Sequence, residues 1–259
     1  MPRVRRYFQA GYVWHITHRC HQQQFLLKFV QDRRAWIRWL FEARKRYGLQ
    51  VLDYIVTSNH IHLLVRDDGR DEIAASMQLI AGRTAQQYNR RKSRRGAFWE
   101  DRYHATAIQA ESHLARCLVY IDLNMVRAGV VRHPADWAHC GYHEIQHPPE
   151  RYQIIDIDRL CELLGFGDLN SMRRAHHGWI QTAVQQSTPT YEPEWAEAIA
   201  LGQPEFLETI QQEIKISNPG RTLVKGRTGD WLREPQVAYS AEFSPQTEGL
   251  SLNISKKSS

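Results

Sequence analysis

Leu49-Gln-Val-Leu-Asp-Tyr-Ile-Val56 and Ile61-His-Leu-Leu-Val65, separated by Thr57-Ser-Asn59, decide the fold. Both runs are rich in residues that suit a pleated surface, and the short polar link suits a turn, so the stretch reads as an antiparallel hairpin. Working outward, Asp32 to Tyr47 has Trp36, Leu40 and Ala43 at helical spacing, an acid near its start and Gly48 as a stop. After the hairpin, about Asp71 to Arg91 carries Ile73, Met77, Ile80, Thr84 and Tyr88 along one helical face. Residues 12–18, Tyr-Val-Trp-His-Ile-Thr-His, and 103–108, Tyr-His-Ala-Thr-Ala-Ile, supply two more strands. Ser112 to Ala128 reads as a third helix, with Ser112 as its cap and Gly129 as its stop.

The order β-α-β-β-α-β-α predicts an α+β, ferredoxin-like (βαββαβ) antiparallel sheet with helices on one face, plus one extra helix. The expected organisation is a domain over 1–145, a mostly helical extension over 146–243 and a disordered tail over 244–259. Helical patterns fall at Ile157–Phe166 and Glu192–Ile216, Pro193, Pro204, Pro219 and Pro235 interrupt the extension, and the chain reads as loop from Ser217 onward.

The 259 residues hold 34 Lys+Arg against 28 Asp+Glu, but the net +6 is unevenly placed. Residues 1–133 carry 23 basic and 11 acidic residues and the remaining 126 carry 11 and 17, so a +12 half precedes a −6 half. A basic half suits a polyanion, and a solvated basic surface would look the same on charge alone. The 4 cysteines form no CxxC pair, which excludes a disulfide framework and a zinc knuckle as first readings. No apolar run approaches the roughly 18 residues of a membrane span, and no apolar stretch follows the basic N-terminal residues. The expectation is a cytoplasmic protein.

Candidate chemistry begins at Asn59-His60-Ile61-His62. Residues two apart on a strand share a face, so His60 and His62 present adjacent imidazoles while Ile61, Leu63 and Val65 enter the apolar side. Such a pair can hold two positions on a divalent cation, and it also occurs as ordinary polar strand positions. On the third helix His113, Arg116, Tyr120, Asn124 and Arg127 form a polar stripe opposite Leu114, Leu118, Ile121 and Met125. Tyr120 and Asn124 are therefore i, i+4 neighbours. A phenol has an unperturbed pKa of about 10 and serves phosphoryl transfer when a cation and nearby positive charge assist it. The alternative is a half-buried tyrosine with a satisfied hydroxyl. Arg83, Arg90, Arg91, Lys92, Arg94 and Arg95, leading to Phe98-Trp99, suit a phosphate backbone and an unstacked base, and Arg116 and Arg127 join them as DNA-binding candidates.

His60-Ile-His62, Phe98-Trp-Glu-Asp-Arg-Tyr-His104 and Tyr120-Ile-Asp-Leu-Asn124-Met-Val-Arg-Ala-Gly-Val-Val131, in this order and spacing, resemble the single-tyrosine HUH transposases. More narrowly they look like the REP-associated tyrosine transposases, over roughly residues 4–145. The resemblance implies that His60, His62 and Asn124 bind Mg²⁺ or Mn²⁺ and that Tyr120 is the nucleophile. It implies single-stranded or hairpin DNA as partner and a 5′-phosphotyrosine intermediate. It further implies a bacterial, nucleoid-associated monomer or homodimer with no membrane and no nucleotide cofactor. Two positions depart from the family pattern: Ser58 stands where the family often has Pro, and Met125 where its Asn-Pro-Val has Pro. Neither touches a proposed ligand. A non-catalytic protein binding DNA or RNA hairpins, and a phosphodiesterase that hydrolyses rather than transfers, are the competing readings.

Overall fold

The computed structural model describes residues 8–186, 194–215, 222–226 and 229–233. The arginines at 3, 5 and 6 and the expected tail over 244–259 lie outside them. The first strand, β1 (Val13–Arg19), leads to helix α1 (Val30–Tyr47), the hairpin β2 (Gln50–Val56) and β3 (His60–Arg66), helix α2 (Glu72–Arg91) and strand β4 (His104–Ile108). These strands lie in the order β2-β3-β1-β4, all neighbours antiparallel, as the ferredoxin-like reading requires. Gly48 ends α1 at φ 69°, a left-handed conformation open to glycine, and its N–H caps Arg44 O.

Register sorts the two faces of the sheet. Thr17 pairs with His62 and His104, Arg19 with His60, and His15 with Leu64 and Thr106, so these share one face. The other face is apolar, with Trp14, Ile16, Ile61, Leu63 and Val65 all buried. On it lie α1, through Trp36, Leu40 and Ala43, and α2, through Ile73, Met77 and Ile80. A stack of His18 on Trp99, whose indole N–H donates to Ala81 O, ties α2 to this side.

The polar face is covered by α3 (Ser112–Asp122), continued by the single turn α4 (Asn124–Arg127). The expected helix over 112–128 is thus interrupted at Leu123, although the hydrogen bonds Leu123 N–H to Val119 O and Arg127 N–H to Leu123 O run on through the break. Ser112 is not the cap: Glu111, at φ 64°, precedes the helix and Ser112 is its first residue. Gly129, at φ 67°, stops the turn as expected.

Beyond residue 135 the expected helical patterns at 157–166 and, in part, 192–216 form helices, and further elements join them. Short α5 (Tyr142–Gln146) and α6 (Ile157–Leu163) precede α7 (Leu169–Gln185), a helix absent from the sequence reading. Then α8 (Glu194–Glu197), β5 (Ala198–Leu201), α9 (Pro204–Lys215), β6 (Thr222–Gly226) and β7 (Gly229–Arg233) follow. The described part of the extension is thus mostly helical, as expected, but it also contributes three strands, and the region after Ser217 is not all loop. Strand β5 runs parallel to β4 through Ala107–Ala200 and Ile108–Leu201, giving one seven-stranded sheet ordered β2-β3-β1-β4-β5-β7-β6. Short β-branched and apolar segments bounded by proline and glycine fit a sheet once an unpaired edge is offered, and β4 offers one.

Candidate active site

The two imidazoles expected to pair do so. His60 and His62 ring centroids are 5.0 Å apart. Each ring is oriented by a neighbour: His62 Nδ1 lies 2.9 Å from His15 Nε2, and His60 Nδ1 lies 2.7 Å from Asn59 Oδ1 and 3.1 Å from Thr57 Oγ1. Burial pushes the pKa of His60 down to about 4, with Arg19 and Arg127 adding to the effect and a hydrogen bond to Asn124 opposing it. Burial also holds His62 well below the usual histidine range, and His60, His15, Arg127 and Arg19 push it the same way. Neutral imidazole is the form that ligates a metal.

Tyr120 stands over this pair. Its ring centroid is 5.6 Å from that of His62 at 89°, and 6.0 Å from that of His15 at 78°. The Arg127 guanidinium carbon sits 4.1 Å from the Tyr120 ring centroid, and Arg127 Nη2 donates to Tyr120 O. The indole of Trp195, from α8, stacks on the same ring at 5.2 Å and 24°. Only 1% of Trp195 is exposed, and it also meets His15 edge-on at 6.2 Å. Arg116 lies 6.0 Å from the Trp195 ring centroid. The phenol ring is thus held by a cation, an indole and two imidazoles, all from one chain.

Asn124 closes the arrangement. Its Nδ2 lies 2.9 Å from His62 Nε2. Rotating the amide brings Oδ1 to that place, and two donors so spaced span one edge of an octahedron with bonds of about 2.1 Å. The second-neighbour bonds from His15, Thr57 and Asn59 are the kind that fix a ligating ring. Among the described residues no group of three His, Cys, Asp or Glu is placed to hold a metal, so a cation here relies on Asn124 as its third side chain. His60, His62 and Asn124 fit a divalent cation as one face of a coordination sphere, with the imidazoles favouring Mn²⁺ over the harder Mg²⁺.

Residues 9–124, a little under half of the chain, match the family model described as "Transposase IS200 like". These residues are similar to the IS200-like transposases. No curated protein sequence matches the chain. Among solved structures, a REP-associated tyrosine transposase bound to a REP hairpin is similar at 20% identity and a TM-score of 0.47, over 56% of this chain and 84% of that one. A protein described as a transposase from Deinococcus radiodurans R1 is similar at 15% identity and a TM-score of 0.32, over 40% of this chain and 84% of that one.

Of the expected site residues, the structure brings together Tyr120, His60, His62, Asn124, Arg116 and Arg127. The 90–95 cluster does not surround them as expected. Arg83 lies over Trp39 of α1, Arg91 pairs with Asp32, Lys92 lies 4.9 Å from the Phe29 ring, and Arg94 bonds Asn89 and Ala97. With Arg90 and Arg95 they sit on or beside the helix layer, behind the sheet from Tyr120. The segment after them returns to the polar side at Arg19, whose carbonyl accepts from Glu100 N–H.

Three functional neighbours were missed. His15 and Arg19 follow from strand parity once β1 is placed beside β3, because alternate residues from 13 to 19 share the face of His62. Trp195 carries no such signal in the sequence. It reaches Tyr120 only because β5 joins β4, where Thr106 Oγ1 donates to Ala198 O at 2.6 Å and His104 Nε2 bonds the same carbonyl at 2.8 Å. No described helix is long and apolar enough to cross a membrane.

Proposed function

We propose that the IS200-like domain is a divalent-metal-dependent endonuclease and strand transferase for single-stranded DNA next to a REP-like hairpin, with Tyr120 as nucleophile. The observation that carries this reading is the convergence of Tyr120, His60, His62 and Asn124 within one chain, inside a transposase family. Tyr120 Oη attacks the scissile phosphorus. The new P–Oη bond forms as the P–O3′ bond breaks, leaving a 5′-phosphotyrosine and a free 3′-hydroxyl; the phenol proton passes to solvent and the leaving oxygen takes one up. Attack by another strand's 3′-hydroxyl reverses the step and joins strands. The phosphodiester energy stays in the phosphotyrosine, so no nucleotide cofactor is needed.

His60, His62 and Asn124 would hold Mn²⁺ or Mg²⁺, which when bound polarises a phosphate oxygen and favours the phenolate. Burial keeps the two imidazoles neutral, and His15, Thr57 and Asn59 aim them. Arg127 and Trp195 fix the plane of the Tyr120 ring, which matters because a misplacement of about 1 Å costs around 10²-fold in rate. Arg116 and Arg127 place positive charge where the phosphorane builds negative charge.

The test is a denaturation-resistant protein–DNA adduct formed from hairpin DNA with a single-stranded flank in Mn²⁺. The wild type should form it and Tyr120→Phe should not, while hairpin affinity stays unchanged. Absence of adduct across palindromic sequences from the gene's own flanks refutes the reading. Hairpin binding that persists in chelator and in His60→Ala, with no cleavage, would instead mark a binding protein.

A further inference from the structure

The helix that carries Tyr120 breaks where its own sequence gives no reason to break. Residues 119–126, Val-Tyr-Ile-Asp-Leu-Asn-Met-Val, contain no proline, glycine or serine, the residues at which a helix ordinarily kinks. Yet α3 ends at Asp122, and Leu123 has ψ 1° where a helix has about −42°. The turn that follows opens on Asn124, whose amide lies 2.9 Å from His62 Nε2 and also bonds His60. The residue just before the break is held from outside. Asp122 is buried, and its Oδ2 accepts from His176 Nε2–H at 2.8 Å. On the other side of the same ring, Gln146 Nε2 lies 2.8 Å from Nδ1 and 3.3 Å from Arg173 O.

These contacts bring α3, α5 and α7 to one dry point. Packing alone would be served there by an apolar side chain, since apolar contact has no preferred direction. A fully buried imidazole engaged at both nitrogens does something else: a carboxylate on Nε2 and an amide N–H on Nδ1 set its tautomer and its plane, and so fix where Asp122 stands. We propose that His176 is a positioning residue for the metal centre. By holding Asp122 it imposes the break at Leu123, and the break sets the Asn124 amide against the two imidazoles. The proposal rests on the reading of His60, His62 and Asn124 as cation ligands, and it makes α7, which lies in the extension, a determinant of that centre.

The test measures Mn²⁺ binding to the metal-free full chain by electron paramagnetic resonance of the free ion, together with backbone hydrogen exchange by mass spectrometry. His176→Ala should weaken Mn²⁺ binding about tenfold or more, the scale on which loss of an outer-shell partner acts. It should also speed exchange at 123–128 and leave the β3 segment with His60 and His62 unchanged. His176→Gln, which places an amide N–H where Nε2 stood, should restore most of the affinity. In a double-mutant cycle His176→Ala should add nothing to the loss caused by Asn124→Ala, because its effect runs through that amide, whereas a general loosening of the fold would add to it. Additive losses, or unchanged Mn²⁺ affinity in a folded His176→Ala chain, overturn the proposal. Should His176→Ala not fold, Gln146→Ala frees the ring beside Asp122 and should show a smaller loss of the same kind; affinity and exchange both unchanged there also overturn it. A wild type that takes up no Mn²⁺ sinks the metal reading, and exchange at 123–128 then decides whether His176 holds the break.

Discussion

Trp195→Ala tests the most consequential contact of the site. The indole is 1% exposed and lies 5.2 Å from the Tyr120 ring and 6.2 Å from that of His15. Truncating a buried tryptophan to alanine costs about 3–5 kcal/mol, combining lost transfer energy with a cavity that its neighbours fill only in part. Within that sum the stacked pair itself contributes roughly 0.5–1.5 kcal/mol. Against a total stability of about 5–15 kcal/mol, the loss is large without being fatal in most of that range.

The same substitution should slow chemistry. With the indole gone, one support of the Tyr120 ring disappears while Arg127 remains, and a drift of an ångström is worth about 10²-fold. Guanidinium denaturation followed by far-ultraviolet circular dichroism reads the first effect, and the single-turnover rate of adduct formation the second. Trp195→Phe keeps a ring in the stack and should recover most of both, which separates loss of position from loss of fold. A Trp195→Ala protein within about 1 kcal/mol of wild type, forming adduct at an unchanged rate, refutes the placement of α8 on the tyrosine.

Two further perturbations probe how the tyrosine helix and the histidines are held. His176 of α7 is fully buried, with Nε2 2.8 Å from Asp122 Oδ2 and Nδ1 2.8 Å from Gln146 Nε2. His176→Ala strands a buried carboxyl group two residues after Tyr120 and should cost about 3–5 kcal/mol in denaturant titration, against a smaller loss for His176→Gln. As for pH, burial lowers the pKa of His15 to about 3 and that of His60 to about 4 from the ordinary 6.5. Between those values and 6.5 the unfolded chain takes up protons that the folded chain refuses, so stability is complete above pH 6.5 and falls as the pH drops toward 4 and then 3. At about 1.4 kcal/mol per pH unit, His15 accounts for roughly 5 kcal/mol of that fall. Metal-free His15→Gln should therefore show a flatter stability profile over this window, and an unchanged slope would contradict the burial of that ring.

The hairpin, both long helices and the pairing of Tyr120 with Asn124 were legible because each rests on local periodicity. Alternation along 49–65 and the 3.6-residue repeat in 32–47 and 71–91 survive whatever packs against them. Helix α7 was illegible for the converse reason. Its buried stripe is Met172, His176 and Ile180, one residue per turn with a histidine at its centre, and that pattern reads as polar until Asp122 and Gln146 appear around the imidazole. The basic run at 90–95 misled because charge shows affinity for a polyanion without showing the face it occupies. Sequence adjacency to Phe98-Trp99 suggested one surface, whereas the α2 packing that buries Ile73, Met77 and Ile80 turns the run toward the helix layer.

The division between a basic catalytic half and an acidic appendage also changes meaning. The acidic half supplies β5 to the open edge of β4, His176 to Asp122 and Trp195 to Tyr120, so three contacts of the tyrosine helix and its sheet come from outside residues 9–124. Each is costly to lose: the strand removes ladder hydrogen bonds, the histidine orphans a buried carboxyl group, and the indole uncovers an aromatic ring. Residues 9–124 therefore leave these three contacts, and Arg127 with them, to the rest of the chain.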